Sequence, residues 1–491
     1  MFREKVIKKI PSLLALYVSL LMTQSASAGA LSFDEVLRKA YQANPDLQVS
    51  QLQVKVADAE ASQLEGVLDT RYRGSLGFSD EISPAVNPFS SSQTRTSFIS
   101  GSIEQPFSGG STLTGTLNYN SAKLTYPSTV PATFQANPNP IYKHQIDLIY
   151  RYPLASGAGN ANYHAQLDAR AQELKAAKLR VGMLKEQVAN QAIALYFQLI
   201  LNDLSLELAN DGVVRAKQLL AYQEQRESFG LIEAADRFQA EALLAMRKLQ
   251  QVQSRAARDA AQTNLNRLMF QDGGVPLQPK LVPIKIKRTS MEKMLLQSEQ
   301  NRPVFEVLKA QYAAAESRLK GVEDTDKYQL DLVGQVGSRA LGGSAGNAFA
   351  QGFTLDDRYV GLRLEFSDVW NHSSSRALIQ KSILQLENIK LERNKARENI
   401  KTDLATASVL LRSGKVTLQA SRKQVLAEKK KFDAEVVRYR EGRSTTAVVT
   451  QFEGDLRVAE LRALIQQVSL DQTKYQLALT LGVLPRVLGA K

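Results

Sequence analysis

Residues 188–199 read Val188-Ala189-Asn190-Gln191-Ala192-Ile193-Ala194-Leu195-Tyr196-Phe197-Gln198-Leu199. At an offset of 212, residues 400–411 read Ile400-Lys401-Thr402-Asp403-Leu404-Ala405-Thr406-Ala407-Ser408-Val409-Leu410-Leu411. Val188, Ala192, Leu195 and Leu199 are spaced 4, 3 and 4, and Ile400, Leu404, Ala407 and Leu411 repeat that spacing. Alternating steps of three and four place apolar side chains along one seam of an α-helix, the a/d pattern of a coiled coil. The same offset carries Arg226, Gly230, Gln239 and Glu241 onto Arg438, Gly442, Gln451 and Glu453. One chance match is cheap, but a set at a single offset marks an internal repeat.

Outward from these stretches, outgoing helices are predicted over 161–228 and 374–440, each about 100 Å long at the rise of an α-helix. They turn at Gly230 and Gly442, and the returning helices end near Phe270 and Leu481. Helices of this length do not fit a compact enzyme domain. Upstream, Asn44-Pro45 precedes Gly66-Val67-Leu68-Asp69-Thr70, as Arg302-Pro303 precedes Gly321-Val322-Glu323-Asp324-Thr325. Each half reads as a helix, strands, a very long helix, a turn and a long returning helix. The first repeat is assigned to 29–270, with strands in 70–153 and its tip near 230. The second is assigned to 290–491, with strands in 328–367 and its tip near 442. Residues 271–289, carrying Gly273-Gly274, Pro276, Pro279 and Pro283, read as the linker.

Between the helices the period falls to two. Tyr72, Gly74, Leu76 and Phe78 alternate with Arg71, Arg73, Ser75 and Ser79; Leu113, Gly115, Leu117 and Tyr119 alternate with Thr and Asn. Tyr142, Ile146, Leu148, Tyr150 and Tyr152 alternate with Lys143, Gln145, Asp147 and Arg151. The second half repeats the pattern at Leu330–Val336 and Val360–Phe366. Alternation over about ten residues with Tyr near strand ends is the signature of a transmembrane barrel, although a half-buried soluble sheet alternates in the same way. So few strands cannot close a barrel, and an open edge is not tolerated in lipid, so several chains must share one. Residues 95–107 and 111–123, joined around Gly109-Gly110, read as an extra hairpin, leaving four or six barrel strands per chain.

The N-terminus carries Arg3, Lys5, Lys8 and Lys9, an apolar run from Leu13 to Met22, and Ala26-Ser27-Ala28. This reads as a signal peptide over 1–28, with Ala26 and Ala28 as the small residues of the cleavage site. No Cys follows, so N-terminal lipidation is excluded. The run is too short to span a bilayer and no later stretch reads as long enough, so a mature chain without a transmembrane helix is expected. Net charge is +13 over 491 residues, spread among Asp and Glu along the helices rather than clustered with aromatics, which speaks against nucleic-acid binding. Zero cysteines exclude disulfides, thiol chemistry and Cys-ligated metal.

Several marks in order complete the reading: Leu31-Ser32-Phe33-Asp34-Glu35 opening the first helix, Ala43-Asn44-Pro45, Pro153-Leu154-Ala155-Ser156-Gly157 ending a strand, the turns at Gly230 and Gly442, and Leu481-Gly482. Over essentially the whole mature chain the sequence resembles the TolC family of outer-membrane factors. The resemblance implies a mixed α and β membrane protein of the Gram-negative outer membrane, a homotrimer whose shared transmembrane β-barrel continues into a long periplasmic α-helical coiled-coil barrel. It also implies an exit duct for efflux or type I secretion, opened by a periplasmic adaptor and energised by an inner-membrane pump. The two tips are then the periplasmic entrance. Asp236, after Gly230-Leu231-Ile232-Glu233-Ala234-Ala235, falls where the family has a gate-bonding aspartate, and Tyr439 keeps the family's tyrosine. Ser444 stands where an arginine is expected, with Arg443 one position earlier. Val448 and Gln451 occupy positions that can carry aspartate rings, so an anionic constriction is not implied. Gly230, Gln239 and Gly442 complete the tip, and an Asp236–Arg443 pair is the expected gate contact.

No catalytic or cofactor motif competes. His144, His164 and His372 lack ligand spacing. Gly157-Ala158-Gly159 is too short for a nucleotide fingerprint, and Gly342-Gly343-Ser344-Ala345-Gly346 reads as a flexible extracellular loop. No P-loop or nucleophile elbow is present. No enzyme activity, metal or cofactor is expected, and the energy for transport has to come from a partner. A trimeric coiled-coil surface adhesin, a static outer-membrane pore and a periplasmic scaffold are the alternatives; strands lying mid-chain in both halves argue against the adhesin.

Overall fold

The computed structural model describes residues 31–84, 87, 89–230, 234–286, 289–354 and 357–488. The predicted signal peptide and its Ala26 and Ala28 lie outside the described residues. In chain order the helices are α1 (Phe33–Ala43), α2 (Pro45–Glu65), α3 (Ala161–Ser228), α4 (Ala234–Leu268), α5 (Met291–Asn301), α6 (Pro303–Glu323), α7 (Ala345–Thr354), α8 (Ser373–Arg440) and α9 (Thr446–Thr480), followed by a short terminal turn of helix at Leu484–Leu488. Corresponding helices have equal lengths: 11 residues for α1 and α5, 21 for α2 and α6, 68 for α3 and α8, and 35 for α4 and α9.

Each half starts with two helices where the sequence pattern suggested one. The break falls at Asn44-Pro45 and Arg302-Pro303. Proline supplies no N–H to the preceding turn and pushes the residue before it out of the helical region. Asn44 (ψ 116°) and Arg302 (ψ 129°) are accordingly extended. Asn44 Oδ1 then accepts from the Asp46 and Leu47 amides, capping the new helix.

The described residues form two compact units. One comprises 49–181 and 303–396 and holds a six-stranded antiparallel sheet in the order β1–β6. The strands are β1 (Arg71–Ile82), β2 (Gln93–Pro106), β3 (Thr112–Thr125), β4 (Ile141–Pro153), β5 (Gln329–Gly342) and β6 (Arg358–Ser367). The extra hairpin therefore joins the sheet as β2 and β3. Register turns the alternation into two opposite faces. One row across all six strands reads Tyr72, Ile103, Gly115, Leu148, Val336, Val360, and the neighbouring row on the other face reads Arg73, Ser102, Thr116, Asp147, Gly337, Tyr359. Apolar side chains on the outer strands face solvent in a single chain, Leu76 at 84% and Val360 at 80% exposure. On the polar face Arg151 pairs with Asp331 (2.6 Å) and Glu365 (2.7 Å), and Glu365 with Arg363 (2.6 Å).

The segment expected to be a flexible loop at 342–346 instead runs into α7. Ser344 caps this helix: its carbonyl accepts from the Ala348 amide and its Oγ from the Asn347 amide. The helix packs on β4 and β5, with Phe349 edge-on to the buried His144 (5.1 Å). Gly352 lies against the same imidazole, where a Cβ would clash.

The other unit comprises 31–48, 182–302 and 397–488 among the described residues. Its core is an aromatic cluster in which Phe33, Tyr196, Phe197 and Tyr475 meet edge-on at 5.1–5.4 Å. The Tyr196 hydroxyl donates to the Leu31 (2.9 Å) and Lys280 (2.7 Å) carbonyls, and Tyr475 to that of Val282 (2.7 Å). Burial pushes the Tyr475 phenol up to about 12, so both groups act as donors. The linker is thus pinned to the core, and Leu31 bridges to Pro279. One helix, Ala158–Ser228, contains an 18-residue window apolar enough to cross a membrane, which the sequence reading did not anticipate. Val188, Ala192, Ile193, Tyr196, Phe197 and Ile200 from that helix are buried in this core, which accounts for the apolar run without a bilayer.

Side-chain contacts order the long helices in each unit. In the sheet unit, Glu60–Arg170 (2.8 Å) joins α2 to α3, Glu173–Arg318 joins α3 to α6, and Tyr312–Lys390 (5.6 Å, cation over ring) joins α6 to α8. In the other unit, Asp203–Arg258 (3.4 Å) joins α3 to α4, Arg215–Glu453 (3.2 Å) joins α3 to α9, and Lys431–Asp455 (2.9 Å) joins α8 to α9. In both rows α8 stands at an end.

Candidate functional site: the paired helix turns

Both turns are built on a glycine. Gly230 (φ +69°) and Gly442 (φ +77°) take the left-handed conformation that ends a helix without Cβ strain. The Gly442 amide donates to the Tyr439 carbonyl and the Arg443 amide to that of Arg438, closing a Schellman motif. The Gly230 amide donates to the Glu227 carbonyl in the same way. Leu231, Ile232 and Glu233 lie outside the described residues. Arg237 spans the first turn to Glu227 at 2.8 Å.

The two turns meet at Thr446, the first residue of α9. Its hydroxyl donates to Asp236 Oδ1 (2.9 Å), lies 3.1 Å from the Tyr439 hydroxyl and accepts from Gln223 Nε2. Gln223 belongs to α3, Asp236 to α4, Tyr439 to α8 and Thr446 to α9, so one hydroxyl ties all four helices together. Gln223, Tyr439 and Thr446 are buried. Tyr439 also packs edge-on against Tyr222 (5.7 Å), with the Arg226 guanidinium 5.7 Å from its ring. Burial raises the Tyr439 phenol above its ordinary value, so it stays a donor.

Asp236 and Tyr439 are therefore brought together, through Thr446. Asp236 and Arg443 are not paired within the chain: Asp236 bonds Thr446, while Arg443 pairs with Glu441. Ser444 donates to Glu435 across the second turn. Gln239 and Val448 are half-buried, and Gln451 is exposed.

Farther from the turns sits a charged cluster on α3, α4 and α9. Glu453 takes Arg247 and Arg215 (3.2 Å), and Arg215 reaches Glu460 at 3.4 Å. Burial holds the Glu460 carboxyl above the usual carboxylate range despite Arg215 opposite it. Burial, and then Arg247, pulls the Arg457 guanidinium below its usual value. Arg457 Nη1 occupies the space at Gly212, where a Cβ would lie 2.5 Å away. Removing one partner from such a buried pair costs about 3–5 kcal/mol, since the other charge is left uncompensated.

Thr446, Gln223 and this cluster escaped sequence reading, although one signal for them exists. The seam of α9 opens Thr446, Val449, Glu453, Leu456 at steps of 3, 4 and 3, so two of its first four positions are polar where apolar residues are expected. Gln223 likewise follows Ala209 and Ala216 at heptad spacing.

The two halves of a repeat of long paired helices contribute strands to a single sheet with one apolar face. Solved structures share this plan over nearly the whole chain. The outer-membrane channel OprN superposes with a TM-score of 0.67 at 17% identity, over 92% of this chain and 89% of that one. CusC, described with its transmembrane channel formation, gives 0.68 at 14% identity, over 92% of each chain. The open state of the MtrE outer-membrane channel of Neisseria gonorrhoeae gives 0.63 at 16% identity, over 92% and 89%. The fold is that of the TolC-type outer-membrane channels. No protein-family model matches the sequence, and no curated protein matches it. At such identities the likeness is one of fold.

Proposed function

We propose that the chain is an outer-membrane exit duct, a passive channel that a periplasmic adaptor opens and an inner-membrane transporter energises. The observation that carries this reading is the sheet. Its apolar face is exposed on all six strands, and β1 and β6 each have an unpaired edge. Lipid tolerates the face but not the edges, so copies must join edge to edge. Three copies, as the resemblance implies, place eighteen strands in one barrel, in the range that leaves an aqueous channel. The helix rows have the same property, since they end in exposed helices that a neighbouring copy can cover. The chain then sits in the outer membrane of a Gram-negative cell with its helices in the periplasm. The paired turns are its entrance, and Asp236, Tyr439 and Thr446 hold the four helices of one copy together there. Gly230, Gln239, Gly442, Arg443, Ser444, Val448 and Gln451 surround that entrance and meet the adaptor.

Photo-crosslinking in cells from position 444 tests this reading. Capture of a periplasmic adaptor protein is expected. Capture of neighbouring copies alone, in cells actively exporting toxic compounds, overturns it. In planar bilayers the Asp236→Ala variant is expected to leak more than the parent chain, and equal conductance removes Asp236 from the gate.

A further inference from the structure

Between the Thr446 hydroxyl and the Arg215–Glu453 pair the four helices do not close on one another. They leave a cavity of about 280 Å³, roughly nine water volumes at about 30 Å³ each. Leu219 of α3, Leu243 of α4, Val436 of α8 and Val449 of α9 supply apolar wall, and Tyr222 and Tyr439 supply aromatic wall. A molecule lying here touches both helical hairpins at once.

The charged side chains around the cavity are unequally partnered. Arg215, Arg440, Asp433 and Glu453 reach it, and Glu453 is also held by the buried Arg247. Arg215 also reaches Glu460 at 3.4 Å, so Arg215 and Arg247 are both matched by carboxylates. Arg440, by contrast, is exposed at the rim and has no ion-pair partner among the described residues, which leaves its guanidinium available to an anion. Asp433 lies one heptad away on the same helix and disfavours a dianion.

We propose that this cavity binds a compact aromatic monoanion, with its ring between Tyr222, Tyr439 and the aliphatic walls and its charge on Arg440. Bound there, the ligand bridges α3, α4, α8 and α9 and holds the two hairpins in the arrangement seen here. The effect on opening rests on the duct reading above; the binding does not.

The test is calorimetric titration of 2-naphthoate into the full chain in lipid nanodiscs. Saturable binding with one site per chain is expected. Arg440→Gln, at an exposed residue outside the Thr446 contacts, is expected to weaken it by about tenfold or more, as loss of a charge-assisted bond does. Val449→Trp, which fills the cavity, is expected to abolish it, and the uncharged 2-naphthalenemethanol to bind as weakly to the parent chain as naphthoate does to Arg440→Gln. Absence of saturable binding, including because a neighbouring copy's side chain fills the space, overturns the proposal. Binding that Arg440→Gln leaves unchanged overturns it as well, and this holds even if Val449→Trp fails to fold. In planar bilayers naphthoate is expected to lower open probability. Binding without any conductance to lower, even in the Asp236→Ala variant, counts against the duct and not against the site.

Discussion

Helices α3 and α8 have the same length and the same seam, yet they are different objects. α3 carries eight Lys and Arg against eight Asp and Glu; α8 carries sixteen against seven. Their first two seam positions are treated alike, since Val188 and Ala192 are buried and so are Ile400 and Leu404, while at the fourth Leu199 is buried and Leu411 half-buried. The difference lies beside the seam. Where α3 has Ile193, Tyr196, Phe197 and Ile200, α8 has Ala405, Ser408, Val409 and Arg412. α3 is flanked by helices on both sides in each unit and needs a second apolar face, whereas α8 ends both rows. A repeat thus preserves what each half needs internally and releases the rest to the helix's place in the row.

The sharpest way to break this comparison is at a matched pair beside the seam. Tyr196→Ala removes a fully buried ring and two hydrogen bonds and is expected to cost about 3–5 kcal/mol, as large-to-small core changes do. Its counterpart Ser408→Ala is expected to stay within about 0.5 kcal/mol. Urea midpoints of the two variants check this, and similar losses would mean that the two helices are equally embedded.

The sheet should show the opposite, equality between halves. Leu76→Arg on β1 and Leu362→Arg on β6 place a charge on the same exposed apolar face, and each is expected to cost about 2–4 kcal/mol in a bilayer. Refolding titrations into liposomes measure both; a cost in one strand only would show that the face is not uniformly lipid-exposed.

A smaller effect with opposite signs is expected where the returning helices end. Phe270 (φ +53°) and Gly482 (φ +69°) are counterparts in left-handed conformation. Phe270→Gly relieves about 1 kcal/mol of strain, a gain offset in part because the half-exposed ring no longer packs on its neighbours. Gly482→Ala is destabilising, because a Cβ there would lie 2.7 Å from Asn301. Thermal melting of the pair decides, and equal shifts would contradict the asymmetry.

The smallest effect concerns Glu460, whose counterpart is Lys248. Its folded value is raised by burial, so its contribution is full below the ordinary carboxylate range and is lost as pH rises through the raised value. Stability of the parent chain relative to Glu460→Gln is therefore expected to decline with rising pH above that ordinary range. Urea midpoints measured as a function of pH would sink this if the two curves ran parallel.

Much of the fold was legible because periodicity is local. Seam spacing marked α3 and α8 at both ends, the ends of α4 and α9 were placed near Phe270 and Leu481 against Leu268 and Thr480, and alternation marked the strands. The proline breaks before α2 and α6 are present as dipeptides, but an X-Pro step alone does not say that a helix resumes at the proline. α7 was read as a loop from its glycines, since the Ser344 cap and the packing over His144 are not visible in composition. At the candidate site Asp236 and Tyr439 were found through resemblance, while Thr446, which joins them, was missed as an ordinary first residue of a helix.

By itself the sequence determined the long helices and the strands, where the hairpins turn and which face of each strand is apolar, because those follow from spacing along one chain and from the special backbone of glycine. Only the tertiary structure decided which helices lie inside a row and which end it, that six strands share one sheet, and that four helices converge on one threonine hydroxyl. These are contacts between residues some two hundred positions apart, such as Gln223 and Thr446. A local pattern announces that a face must be covered, but which partner covers it depends on all the other faces competing for the same partner.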